Sequence, residues 1–182
     1  MALIPKQLAI LNHIVAHLEG INPDNIDPAT NLPYEMDLRG SVYLGRTTLG
    51  ADVNLPALAI NEPPVPADSV FADDGNVKQV GKWRNLLQGF AEKDMENPSV
   101  PGYKLKAIVE QRLSRMVQKT NGKPTFPQEH LPARFGVQAL KVHQGVVRGP
   151  DEKVSSTGFF YIPLTLDMAT DMTNPYVEET TE

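Results

Sequence analysis

The chain has 182 residues, enough to bury a sizeable core as one domain without disulfides or metals. It has no cysteine, which excludes disulfides, thiolate catalysis and thiolate-ligated zinc, and its formal net charge of -5 argues against a surface built to neutralise phosphates. Hydrophobic residues make up 41% and charged residues 21%, so a folded domain is expected, and 16 prolines predict several irregular, extended connections.

The N-terminal run Met1-Ala-Leu-Ile-Pro-Lys lacks the charged region, apolar core and small-residue site of a signal peptide. No apolar stretch approaches the roughly 20 residues that span a bilayer, so a soluble protein made in a reducing cytoplasm is expected. Pro5 suits the first position of a helix, Leu8, Leu11, Ile14, Val15 and Leu18 mark one apolar face, and Gly20 stops it. Residues 21–36, with Pro23, Pro28 and Pro33, predict an extended connection of the length often used for interactions. Leu38, Gly40, Val42 and Leu44 alternate with Arg39, Ser41 and Tyr43, which predicts a strand. A turn near Leu49-Gly-Ala-Asp52 then leads to Leu55–Ile60 as its hairpin partner, with Pro56 at a strand start or sheet edge.

Residues 61–79 form a second irregular segment, with a turn at Asp73-Asp74-Gly75. For Val80–Ala91 the parity is mixed, and Gly81 and Gly89 favour a strand over a helix, Gly89 reading as the mark of a bulge. An acidic loop, Glu92–Gly102, precedes a helix whose face carries Leu105, Ile108, Val109, Leu113, Met116 and Val117 and which Asn121-Gly122 would end. A strand over 136–147 follows, with Leu140, Val142 and Val146 of one parity, and Gly149-Pro150-Asp151 turns the chain into the last strand. There Phe160, Ile162, Leu164, Leu166 and Met168 share one parity while Phe159, Tyr161, Pro163, Thr165 and Asp167 share the other, the pattern of a long strand with one face on a core. The order α-β-β-β-α-β-β predicts an α+β fold. A single domain is expected, with a mixed or mostly antiparallel sheet of about five strands packed by two helices. Long proline-rich loops fall near 21–36 and 61–79, and a short acidic tail covers 169–182.

Nothing in the sequence assembles a catalytic set. His13 and His17 stand four apart on the first helix, a spacing that can bind a metal, but Ile14 follows His13 where a zinc protease has Glu, and no third ligand is evident. A surface or interface pair is the better reading. Glu92, Asp94 and Glu96 lack the fixed spacing of an oxygen cage, so a solvated loop is expected. No phosphate-cradling or nucleophile-elbow pattern occurs. The basic residues of the second helix, Lys104, Lys106, Arg112, Arg115 and Lys119, read as a solvated face. Arg39 and Arg46 sit on or beside the first strand, and Arg84 beside Trp83 is a better interface candidate, because Trp and Arg are enriched where surfaces become buried. Neither a metal nor a cofactor is expected.

Several phrases along most of the chain resemble the tail terminator proteins of long-tailed bacteriophages, siphovirus-like or myovirus-like. They are the N-terminal helix with Leu8, Leu11 and Ile14; Arg39-Gly-Ser-Val-Tyr-Leu-Gly-Arg46 leading into Leu55-Pro-Ala-Leu-Ala-Ile-Asn-Glu62; and Leu86-Leu-Gln-Gly-Phe-Ala91. Asn97-Pro98, Tyr103-Lys-Leu105, Phe160-Tyr-Ile-Pro-Leu-Thr-Leu166 and Asn174-Pro-Tyr176 complete the set. None of these is a catalytic signature, and the segment 61–79 departs from the shortest versions of such proteins. The resemblance implies a non-enzymatic virion subunit at the head-proximal end of the tail. It would form a homo-oligomeric ring, typically a hexamer, that stops tube polymerisation and offers a surface for head–tail joining. Its implied partners are further copies of itself, the tail tube protein and a head-completion or neck protein. DNA would pass through without specific binding, and no membrane is involved. Arg39, Arg46, Trp83, Arg84, Asp73 and Asp74 are the residues expected at subunit or tube contacts. A head-completion or neck connector is the alternative, and a small enzyme using His13, His17 or His143 is a remoter one.

Overall fold

The computed structural model describes residues 3–48, 53–63, 78–120, 123–124, 135–151 and 155–178. In chain order the elements are β1 (Leu3–Pro5), α1 (Lys6–Glu19), β2 (Ile26–Asp27), β3 (Leu32–Pro33), β4 (Val42–Leu44), β5 (Ala57–Asn61) and β6 (Lys78–Phe90). They continue with α2 (Val100–Val117), β7 (Lys119–Thr120), β8 (Lys123–Pro124), β9 (Val137–Val142), β10 (Val146–Arg148), β11 (Phe159–Asp171) and β12 (Tyr176–Glu178). The fold is α+β, with two helices and a mixed six-stranded sheet among the described residues.

Two long strands, β6 and β11, form the spine of that sheet. They pair antiparallel without a register break from Phe159↔Phe90 to Asp171↔Lys78. On the far flank of β11, β10 pairs with its first residues and β9 with its second half. On the far flank of β6, β5 pairs with Leu86–Phe90, and β4 lies outside β5. Three small pairs stand apart: β2 with β3, β7 with β8, and β1 with β12. The last of these ties the two ends of the chain together, and Pro175 O accepts the backbone N–H of Lys6 at the start of α1.

The apolar alternation of β11 points where its parity predicts. Phe160, Ile162, Leu164, Leu166 and Met168 are all buried against the helices, each contributing about 1.5–3 kcal/mol of transfer free energy. α2 supplies Leu105, Val109, Leu113 and Met116 to the same layer. α1 supplies Ile10, Leu11, Ile14 and Leu18, so its stripe is rotated from the predicted one: Ile10 is inside and Leu8 is exposed.

Several local expectations are corrected. β4 and β5 are parallel neighbours, with Val42↔Leu58 and Leu44↔Ile60, where a hairpin was expected. Residues 45–56 are long enough for the crossover that a parallel pair demands. The strand expected over 136–147 is two strands, β9 and β10, and Pro163 explains the break. His143 N–H donates to Pro163 O at 3.0 Å, so the side of Pro163 that lacks an N–H faces this flank. A residue there would exchange both of its bonds with one partner, and proline offers only the carbonyl. Gly89 marks no bulge; the register irregularity lies between Asp167 and Met168 of β11 against β9. α2 stops at Val117 with Gln118 extended, ahead of Asn121 and Gly122, which lie outside the described residues. Within 21–36 sits the β2–β3 pair, and within 169–182 lie the end of β11 and β12.

Candidate functional site

Both helices cover one face of the sheet, and among the described residues no helix lies on the other. Side chains alternate across a strand, so the open face carries Val80, Lys82, Arg84, Leu86 and Gln88 of β6. Beside them lie Tyr161, Pro163, Thr165 and Asp167 of β11, and Lys141 of β9 with His143 just after it. At the end nearest α2 this face has its own small apolar cluster, where Phe90, Phe159 and Ala59 are buried and Phe159 meets Tyr161 edge-on at 5.4 Å. At the other end it is wet and cationic. Lys82, Arg84, Lys141, His143, Pro163 and Thr165 line a shallow depression of about 350 Å³.

Register explains how this cluster forms. Thr165 stands opposite Arg84 on one side and Lys141 on the other, and Asp167 stands opposite Lys82. Lys141 Nζ reaches Asp167 Oδ2 at 2.6 Å, and His143 Nε2 lies 3.0 Å from Thr165 Oγ1. Among the described residues, neither Lys82 nor Arg84 has a carboxylate partner. Further along, Lys78 pairs with Asp171 at 3.2 Å. The Asp171 carboxyl is held below its ordinary value first by the Thr173 hydroxyl, then by the Thr173 N–H and by Lys78.

The six residues singled out from sequence do not converge. Arg84 is on the open face. Trp83, its neighbour in sequence, points to the helix side, packs against the core and has an indole N–H without a partner among the described residues. Arg39 is a local clamp: its guanidinium bonds both oxygens of Asp37 and reaches Asp24. That bond is the main reason the Asp37 carboxyl sits below its ordinary value and Arg39 above its own. The clamp fastens the 21–36 segment to the turn before β4. Arg46 follows β4, with its guanidinium 4.8 Å from the Tyr43 ring centroid and its carbonyl accepting from Asn61 Nδ2. Asp73 and Asp74 lie outside the described residues.

Sequence spacing does not group Lys82, Lys141, His143 and Thr165 into one site. The parity of β11 gave the only signal, because Thr165 and Asp167 on its polar side imply that the face opposite the core stays open. His17 has a structural position: its Nε2 lies 2.9 Å from Arg112 O, while Arg112 Nε donates to His17 O at 2.8 Å. This reciprocal pair braces α1 against α2. Among the described residues no three His, Asp or Glu side chains are grouped to hold a metal, and no helix is long and apolar enough to cross a membrane. No protein-family model matches the sequence, and no curated protein matches it either.

Proposed function

We propose that the protein is a structural virion subunit that assembles as a homo-oligomeric ring, a hexamer on the family resemblance, and caps the end of a phage tail tube. The observation that carries this reading is the two-layer build in which, among the described residues, no helix covers the second sheet face, where Lys82 and Arg84 have no carboxylate partner. Such a face is material for contacts between subunits. The two flanks of the sheet are also unlike, one ending in the parallel strand β4 and the other in the broken pair β9 and β10. Unlike flanks suit the head-to-tail contacts from which closed rings are built. A cationic face turned towards a lumen would retain passing DNA by phosphate neutralisation, so the reading places it between subunits. The shape of the chain and its phrases supply the rest: Arg39–Arg46, Leu86–Ala91 and Phe160–Leu166 are where the resemblance to tail terminators falls, and each lies in or beside the sheet.

The test has two arms. Light scattering after size exclusion, with negative-stain imaging of the peak, asks whether the purified chain forms closed rings. Co-sedimentation with polymerised tail tube protein, against portal or adaptor protein as control, asks what it docks on. Rings, and binding at tube ends that stops elongation, are expected. Binding to portal or adaptor alone would move the protein to the neck, and a chain that forms no ring and binds no tube would refute the reading.

A further inference from the structure

We propose that the acidic loop Glu92–Glu96 of one copy docks in the cationic depression of the next. The contact rests on the ring reading above and specifies its chemistry. The depression brings three cations, Lys82, Arg84 and Lys141, and one carboxylate, Asp167, a formal balance of two positive charges. The loop carries Glu92, Asp94 and Glu96 against Lys93, a balance of two negative charges. Met95 is 79% exposed, an apolar side chain flanked in sequence by Asp94 and Glu96. The depression has the inverse arrangement, with Pro163 exposed among cations and Val80, 70% exposed, further along β6 on the same face.

The loop is also held in shape before any partner arrives. Asp94 Oδ1 accepts the backbone N–H groups of Glu96 and Asn97 at 2.9 and 2.8 Å. One side of the loop is anchored where Ala91 N–H donates to Gly158 O, and the other where Val100 N–H donates to Asn97 O and α2 begins. Preorganisation of this kind lowers the ordering cost of a contact.

The loop cannot reach the depression of its own chain. Arg84 and the end of β6 at Phe90 are separated by six residues of rigid strand, about 20 Å, and the loop leaves from that far end. Donor and acceptor therefore sit at opposite ends of one strand. That is a head-to-tail contact, which closes into a ring when the rotation allows.

Charge reversal tests this directly. One variant carries Lys82→Glu and Arg84→Glu, and a second carries Glu92→Lys and Glu96→Lys, with Asp94 kept because it shapes the loop. Each alone is expected to raise the concentration for half-assembly at least about tenfold, about 1.4 kcal/mol per contact, and to do so less in high salt. An equal mixture of the two is expected to assemble again, since every contact in an alternating ring is then complementary. Far-ultraviolet circular dichroism and melting of each variant confirm that it folds. Wild-type-like assembly of both variants, or a mixture that fails to recover, overturns the contact and leaves the ring standing. A wild-type chain that stays monomeric at all concentrations also overturns it, while the cap is judged separately by binding to tube ends.

Discussion

Gly89 sets the spacing of the two spine strands, and replacing it with alanine tests that role. An ideal Cβ on Gly89 would lie 2.1 Å from both Cε1 and Cζ of Phe160, its cross-strand partner, and 2.8 Å from Cδ1. Relaxed carbon contacts begin at about 3.5 Å, so the ring must retreat by about 1.4 Å. Phe160 has no solvent exposure, so it has no free side to swing into. Overpacking of this kind costs about 1–3 kcal/mol, and a rigid buried ring belongs at the upper end. Loss of glycine's freedom in the unfolded chain returns only about 0.4–1 kcal/mol. The net expectation for Gly89→Ala is a loss of about 2 kcal/mol, or about 4–8 °C in Tm. Urea denaturation with an unchanged slope measures it. The sharper assay is a double-mutant cycle. Phe160→Ala alone is expected to cost about 3–5 kcal/mol, and adding Gly89→Ala to it is expected to cost almost nothing more, because the ring that clashed is gone. Additivity within about 0.5 kcal/mol would refute the steric account.

Other positions give independent checks. The Arg39 bond lowers the Asp37 carboxyl from 3.8, so the clamp contributes fully above that ordinary value and is lost as pH falls through the lower folded value. The Tm difference between wild type and Asp37→Asn is expected at neutral pH and should vanish in strong acid; a difference that grows on acidification would contradict this. Asn85 is 2% exposed on the helix side of β6, and neither atom of its amide has a partner among the described residues. Asn85→Leu is therefore expected to stabilise by about 1–3 kcal/mol in chemical denaturation, and a loss of that size would show that the amide is satisfied after all. Pro163→Ala is expected to change stability by no more than about 0.5 kcal/mol, because the restored N–H faces the gap between β9 and β10; a larger loss would mean that proline itself holds the break.

Periodicity made the large elements legible. The alternation from Phe160 to Met168 fixed both the strand and its buried face, and the spacing of Leu105, Val109, Leu113 and Met116 fixed α2. What it could not convey was pairing. Leu38–Leu44 and Leu55–Ile60 read as a hairpin because both are short apolar runs joined by a turn signal, yet parallel and antiparallel partners present the same local pattern. Pro163 was visible in the sequence, but its consequence falls on a different strand and depends on which flank its ring faces. Trp83 and Arg84 were paired as neighbours in sequence, and the pleat separates them: one packs into the core and the other lines the depression. The cationic cluster is assembled by register alone: Lys82 and Thr165, 83 residues apart in sequence, share it only because β6, β11 and β9 are aligned.

The same cations that would receive an acidic loop also restrict what else this face can bind. A sheet face with Val80, Leu86 and Tyr161 on it that no described helix covers is a hazard for indiscriminate association, and charged residues placed among the apolar ones are a defence. Two copies meeting through this face would set two positive charges against two, an arrangement that costs several kcal/mol when like charges are brought together. That repulsion works against a symmetric dimer, in which a surface meets its own copy. It leaves undisturbed a contact in which the face meets a different, negative surface. The acidic loop at the far end of β6 is such a surface, and its distance from the depression prevents a chain from satisfying itself. Specificity then comes from what the face repels as much as from what it attracts. For a subunit that would join its neighbours head to tail, as proposed above, that asymmetry is the property the assembly would require.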